Sequence, residues 1–320
     1  MNPILKIAGI LPILTACSNI QGEWYSSNLD TSEYELYLEY DTSYFEYYDD
    51  MPRDILIDAD VTDLEGSLEF YEMFLADEND SDVIEQIVAW IRSTTQNRKE
   101  QIQLAVSLIQ NEIIYDYEKL KNEGNWRVYY PMETLIWKKG VCSDKSLLLG
   151  KILVYMDYKI CFFLFDENNH MALGIKTKTD GFAGSGFEYI ETTNPFEIGK
   201  VPSASPGQIL SLMDESPKII VPIFNGTNAF DEFQSLQKEY ERQNIAYGLG
   251  YSTATVQIKK KLIDLAYLKE TIFSLEGAYN ELISDYNNGI VGADSVISME
   301  STLNRRIDEY NALLETIHEK

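Results

Sequence analysis

Residues 140–156, Gly-Val-Cys-Ser-Asp-Lys-Ser-Leu-Leu-Leu-Gly-Lys-Ile-Leu-Val-Tyr-Met, constrain this chain more than any other stretch. They read as a turn that delivers Cys142 onto the first turn of a helix. Leu149, Ile152, Leu153 and Met156 follow at helical spacing, while Leu147, Leu148 and Val154 fall on other faces. A helix apolar nearly all round belongs at the centre of a domain. A thiol at its N-terminal tip meets free backbone N–H groups and the positive end of the macrodipole, which favour thiolate over thiol. The competing reading makes Cys142 a small buried hydrophobe, the usual fate of a free cysteine.

Sequence further along bears on that choice. Phe162–Phe165 is a short apolar strand, and 166–169 is a polar turn. His170–Ile175 is a second strand with the histidine at its mouth, and a Gly-rich loop over 180–186 returns the chain into Phe187–Thr193. An antiparallel hairpin centred near Gly181 and Phe182 brings Glu191–Thr193 opposite His170–Ala172. Thiol, imidazole and carboxylate then occur on a helix tip and two neighbouring strands. A nucleophilic cysteine needs these parts: a base to hold the thiolate–imidazolium pair and a third group to orient the ring.

With these residues the chain resembles the transglutaminase-like superfamily, whose core is papain-like. The resemblance rests on Gly140-Val-Cys-Ser-Asp144 with its Leu-rich helix and on Asn169-His170 opening a strand. Glu191-Thr-Thr193 before Asn194-Pro195 stands where the family usually has Asp-x-Thr. Upstream, Glu112–Glu118, with its Tyr115-Asp116 step, resembles the family's approach to the cysteine loop. The similarity covers roughly residues 81–205. It implies an α+β, papain-like/transglutaminase-like core in which the nucleophile helix packs on an antiparallel sheet. It also implies a Cys142–His170–Glu191 triad acting on an amide carbonyl of a protein or peptide, as a peptidase, amidase or transamidase. Glu191 departs from the family aspartate by one methylene, so its bond to His170 requires a compensating backbone placement. The alternative is a non-catalytic module that keeps the fold for binding or assembly.

The rest of the chain frames this core. Residues 1–17 read as a lipoprotein signal: a weakly basic start, an apolar run over 7–14 too short for a span, and Leu14-Thr-Ala-Cys17 before polar sequence. Cys17 would be the lipidated residue, anchoring an exported protein to a membrane. A plain secretory signal, or a false start before a cytosolic protein, also fits. Only Cys142 and Cys161 then remain as thiols. A disulfide between them would disable the nucleophile, whereas the strand setting of Cys161 reads as a core thiol. His170 and His318 are the two histidines, with no paired ligand spacing, so neither a metal nor another cofactor is expected.

Residues 18–80 form an acidic, Tyr-rich extension with short strands. Tyr34, Leu36, Leu38 and Tyr40 alternate with polar neighbours, and a further short strand spans Ile55–Ile57. The tyrosines either pack or present a carbohydrate-binding surface. Core residues 81–225 begin with two helices striped by Ile84, Ile87, Val88 and Ile91 and by Ile102, Val106, Ile109 and Ile113. Trp126 and Trp137 flank the cysteine loop, as cleft walls or buried aromatics. Ser203–Pro217 is a loop and Ile219–Phe224 a last strand. Residues 226–320 are helical. Leu265, Leu268, Ile272, Leu275, Tyr279, Leu282 and Tyr286 form one seam, and Leu303, Ile307, Tyr310, Leu314 and Ile317 a second after the break at Asn287–Asp294. This predicts an antiparallel coiled-coil hairpin suited to self-association or docking. The net charge of −26 removes nucleic acid from the expected partners, because phosphates need a basic footprint.

The anchor is directly testable. Cys17→Ser should shift the protein from the membrane fraction to a soluble or unprocessed pool. Unchanged partitioning together with unchanged intact mass would rule lipidation out.

Overall fold

The computed structural model describes residues 20–51, 64–121, 127–166, 169–202, 216–223, 225–248 and 251–318. Cys17, the strand expected at 55–57, Trp126 and most of the loop at 203–217 lie outside them.

The chain opens with a hairpin, β1 (Ile20–Leu29) and β2 (Ser32–Asp41), closed by Asp30-Thr31 with Asp30 at a positive φ of 51°. Leu36, Leu38 and Tyr40 of β2 enter the main core, as their alternation requires. Opposite them, Tyr25 and Ser27 of β1 face inward, and the Ser27 hydroxyl donates to the Leu104 carbonyl at 2.8 Å. Two helices follow, α1 (Ser43–Asp50) and α2 (Leu64–Leu75), which the sequence reading did not anticipate. Tyr48 and Phe74 from these helices stack on Tyr130 at 5.2 and 4.6 Å between ring centroids. The tyrosines here largely pack, although Trp24 and Tyr37 form an exposed cross-strand pair with centroids 5.0 Å apart.

Helices α3 (Ser81–Thr94) and α4 (Arg98–Glu112) carry the two expected Ile/Val stripes, all buried, with Ile113 of the second stripe just past the end of α4. Asn97 between them caps α4, its side chain accepting from the Lys99 N–H at 3.1 Å. The short strand β3 (Ile114–Tyr115) leads into α5 (Tyr117–Lys121). After it come α6 (Pro131–Trp137) and β4 (Lys139–Gly140), which pairs in parallel with β3 and places Gly140 beside Tyr115. The chain then enters α7 (Cys142–Tyr155), buried along most of its length. Trp137 is half-buried, with its ring edge-on to Tyr129.

α7 packs on a four-stranded antiparallel sheet made of β5 (Ile160–Phe165), β6 (His170–Lys176), β7 (Phe187–Ile190) and β8 (Ile219–Ile223), in the order β7-β6-β5-β8. Ile160, Phe162, Leu173, Ile175 and Ile190 face α7. Cys161, Phe163, Ala172, Phe187 and Tyr189 form a smaller cluster on the opposite face. The pair Leu173–Ile190 places the β6–β7 hairpin centre between Gly181 and Phe182. Gly181 has a φ of 67°, and a Cβ there would lie 2.4 Å from the Phe187 nitrogen, so the return loop needs glycine.

Beyond the sheet, α8 (Phe233–Tyr247) buries Phe233, Leu236 and Tyr240. The hairpin α9 (Val256–Asn287) and α10 (Ala293–His318) follows, its helices packed together. Leu265 is buried, whereas Leu268, Ile272, Leu275, Tyr279 and Leu282 are half-buried and Tyr286 is exposed. Two helices alone cannot close water out of both sides of a shared seam. The architecture is therefore α+β, with a C-terminal helical pair.

Core and seam should respond differently to truncation. Leu149→Ala, at a position with no exposed surface, should lower unfolding free energy by about 2–5 kcal/mol. Leu275→Ala should lower it by much less. Denaturant titration of both variants checks the contrast, and equal losses would mean that the seam is a true core.

Candidate active site

Positions 142, 145 and 146 share one face of α7 because they are spaced i, i+3, i+4. Each reaches a different strand or loop. Cys142, 8% exposed, starts the helix and hydrogen-bonds the His170 imidazole. Lys145, fully buried, donates to the Ile113 carbonyl at 2.6 Å and the Thr193 carbonyl at 3.5 Å. The Ser146 hydroxyl lies 3.1 Å from that of Thr192 and donates to the Met171 carbonyl at 3.4 Å. The first turns of α7 thus tie together the approach strand, the histidine strand and the carboxylate loop.

The opposite side of the tip is fixed by Asp144, whose carboxylate accepts from the N–H groups of Tyr129 and Val141, each at 2.9 Å. Lys119 completes the set at 2.6 Å, its ammonium also 3.4 Å from the Tyr129 ring centroid. Burial nonetheless pushes the Asp144 carboxyl upward. Gly140 admits this arrangement, since a Cβ there would lie 2.8 Å from the Asp144 Cβ.

His170 opens β6 and is 7% exposed; Glu191 follows directly on the last residue of β7 and is 1% exposed. The strand expected over 187–193 ends at Ile190, which frees the Glu191 backbone to turn. His170 Nε2 lies 3.3 Å from Glu191 Oε2, leaving Nδ1 as the ring nitrogen available to Cys142. Glu191 Oε1 accepts from the N–H groups of Thr192 (3.0 Å) and Thr193 (2.9 Å) and from the Thr193 hydroxyl (2.7 Å). Oε2 also accepts the Tyr189 hydroxyl at 2.8 Å. By curling back onto its own following N–H groups, the longer glutamate takes up its extra methylene. The Glu191 backbone is held in turn from α4, where Gln110 donates to the carbonyls of Glu191 (2.8 Å) and Phe196 (3.2 Å).

Burial, the largest influence on Glu191, opposes its ionisation, but the hydrogen bonds and charge of His170 and the donors of Thr193 outweigh it and bring it to about 2. Burial likewise pulls His170 down, while hydrogen bonds to Cys142 and Glu191 and the charges of both raise it to about 10. Lys145 falls to about 8 through burial, which the Glu191 charge opposes. Burial also raises Tyr115, whose hydroxyl hydrogen-bonds Cys142.

The three residues expected from the sequence are therefore brought into one buried cluster. Sequence reasoning missed Tyr189, Lys145 and the thiol contact of Tyr115. The alternation of β7 puts Tyr189 on the same face as Glu191, a signal that was available. Lys145 and Ser146 follow from helical spacing. Cys142 and Cys161 are both free and belong to the two different core clusters. Burial raises the Cys161 thiol well above its ordinary value. Among the described residues no group of three His, Cys, Asp or Glu could hold a metal ion, and no helix is long and apolar enough to cross a membrane.

The profile of a family described as a transglutaminase-like domain matches residues 75–179, a range that contains Cys142 and His170 and ends before Glu191. No curated protein matches the chain.

The ion pair sets a pH window for stability. Glu191 is depressed from an ordinary 4.5, so its contribution is present above that value and lost as pH falls toward about 2. His170 is raised from 6.5, so its contribution is complete below that value and lost as pH rises toward about 10. Wild type should exceed Glu191→Gln in unfolding free energy by about 2–3 kcal/mol between those windows. The gap should narrow at both extremes in denaturant titrations run across pH. A gap independent of pH would mean that the pair is not ionised.

Proposed function

We propose, from the premise that this chain carries a transglutaminase-like domain, that it is a cysteine enzyme acting on the amide carbonyl of a protein or peptide. The observation that supports this reading most is the buried His170–Glu191 ion pair set against a thiol on a helix N-terminus. A structural histidine in an apolar pocket would be neutral. Here hydrogen bonds to Cys142 and Glu191, and the charges of both, favour the imidazolium.

In the proposed chemistry Cys142 sulfur bonds to the carbonyl carbon, and the displaced electron pair collects on oxygen. The Cys142 backbone N–H, at the first helical position, is the natural donor to that oxyanion. His170 passes a proton from Nδ1 to the departing amine nitrogen as the C–N bond breaks, leaving a thioester. Water then attacks the thioester carbon in hydrolysis, or a second amine in transamidation; His170 takes the proton of the attacking group, the C–S bond breaks, and Cys142 leaves as thiolate. Glu191 keeps Nε2 protonated and the ring oriented throughout.

The wider reading is of an enzyme held at a membrane surface through lipid on Cys17. Its half-buried helical seam supports self-association or docking of a partner. The competing reading is a non-catalytic module, and the low exposure of Cys142 beneath its contact with Tyr115 speaks for it.

Side-by-side labelling with iodoacetamide or a vinyl sulfone separates the two. Wild type and Cys161→Ser should label rapidly, and Cys142→Ala should not label. His170→Ala should label about 10²–10⁴-fold more slowly, the usual scale of acid–base assistance. Adding a primary amine during turnover of a peptide library then distinguishes transamidation from hydrolysis. A Cys142 no more reactive than a free thiol, with no product from any peptide, would leave the binding module as the answer.

A further inference from the structure

Tyr189 belongs to no part of the chemistry above, yet its ring is fully buried and its hydroxyl lies inside the ion pair. It lies 2.8 Å from Glu191 Oε2 and 3.4 Å from His170 Nε2. Three rings hold it there. Phe163 stacks on it at 6.1 Å, Phe182 meets it edge-on at 5.4 Å, and Phe165 meets it edge-on at 6.4 Å. A tyrosine used only to fill this aromatic pocket would need no hydroxyl, and a buried hydroxyl is retained where it has a partner.

The carboxylate oxygen it reaches is the one His170 uses. Glu191 Oε2 receives a bond of 2.8 Å from the phenol and one of 3.3 Å from the imidazole. The two donors therefore compete for one oxygen, and the phenol's 2.8 Å is an ordinary length for an O–H···O bond. We propose that Tyr189 is a positioning residue for the Cys142–His170–Glu191 site: its phenol fixes the plane of the Glu191 carboxylate and, by sharing Oε2, limits how tightly Glu191 holds the imidazolium proton. This rests on the reading of His170 as the acid that protonates the leaving amine. A glutamate with no competing donor would stabilise the imidazolium so strongly that His170 would release its proton poorly. A best catalytic acid has a pKa near the working pH.

The two histidines of the chain make the test specific. His170 and His318 are both visible in protein labelled with 15N-histidine, and His318 on α10 serves as the internal reference. The titration is run in a Cys142→Ala background, so the thiolate contributes nothing and the result does not depend on whether Cys142 is a nucleophile. Adding Tyr189→Phe keeps the ring and removes the hydroxyl. The His170 midpoint should rise by about half a pH unit or more, with His318 unmoved. In wild-type Cys142 protein, the same Tyr189→Phe change should slow acyl transfer several-fold, with a fall in the thermal midpoint that reflects the one buried hydrogen bond lost.

A second comparison guards against a fold defect. Glu191→Asp withdraws the carboxylate from the phenol, so adding Tyr189→Phe to Glu191→Asp should leave the His170 midpoint where it was. A His170 midpoint that stays put or falls in Tyr189→Phe overturns the proposal, as does an equal shift with and without Glu191. Normal Tyr189 coupling with an unreactive Cys142 would instead fault the catalytic reading and leave the proton-sharing role intact.

Discussion

The carboxylate of Glu191 is the interaction around which this molecule is arranged. A carboxylate removed from water loses several kcal/mol of solvation, which only well-placed donors and an opposing charge restore. Here the donors come from two N–H groups, two hydroxyls and one imidazole. Supplying them requires that β7 end at Ile190, that the chain turn through Thr192 and Thr193, and that Tyr189 point across the strand end. The remaining attachments secure that turn from outside, through Lys145 and Ser146 of α7 and Gln110 of α4. If the carboxylate moved, the imidazole would lose its orienting partner and the first turns of α7 would lose their tie to the loop.

Much of this was legible before any coordinates. The hairpin centre follows from two strands of opposite direction and a Gly-rich return, and Gly181 requires glycine for its positive φ. The Ile/Val stripes of α3 and α4 and the paired seams at the C-terminus follow from helical period alone. Strand β1 was not legible, because one of its inward positions is Ser27, a polar residue satisfied by a carbonyl of α4 about eighty residues later in the sequence. Nothing local reports such a partner. α1 was missed where a Tyr-rich, acidic composition carries no clean period, and α2 although Leu64, Leu68, Tyr71 and Leu75 recur at helical spacing. Tyr189 looked like ordinary strand aromatic content until the curl of Glu191 put an oxygen in front of it.

The central helix shows where apolar patterning misleads. Read as apolar nearly all round, α7 in fact buries Asp144, Lys145 and Lys151. Each is matched at its own end: Asp144 to two N–H groups and Lys119, Lys145 to two carbonyls, and Lys151 to Asp80 and the Asp77 carbonyl. Asp80 is held mainly by Lys151, and burial lifts it to about 6 despite that cation. Buried pairs of this kind add little net stability, yet removing one partner leaves a charge with nowhere to go. They fix which way the helix is rotated, and with it the direction in which Cys142 points.

At about 1.5 Å of rise per residue, the 32 residues of α9 make a rod roughly 48 Å long. Its root is held where Lys259 lies 5.7 Å from the Tyr251 ring centroid, and Tyr251 in turn donates to Asp30 in the turn of the first hairpin. Nearby, Asn244 and Ser252 both donate to Glu197, one residue past the carbonyl that Gln110 shares with Glu191. Mechanically this is a lever with a long outer arm and a short, hydrogen-bonded fulcrum. A force applied at its far turn produces a torque at the root multiplied by that length, and it is delivered beside the loop that carries the carboxylate.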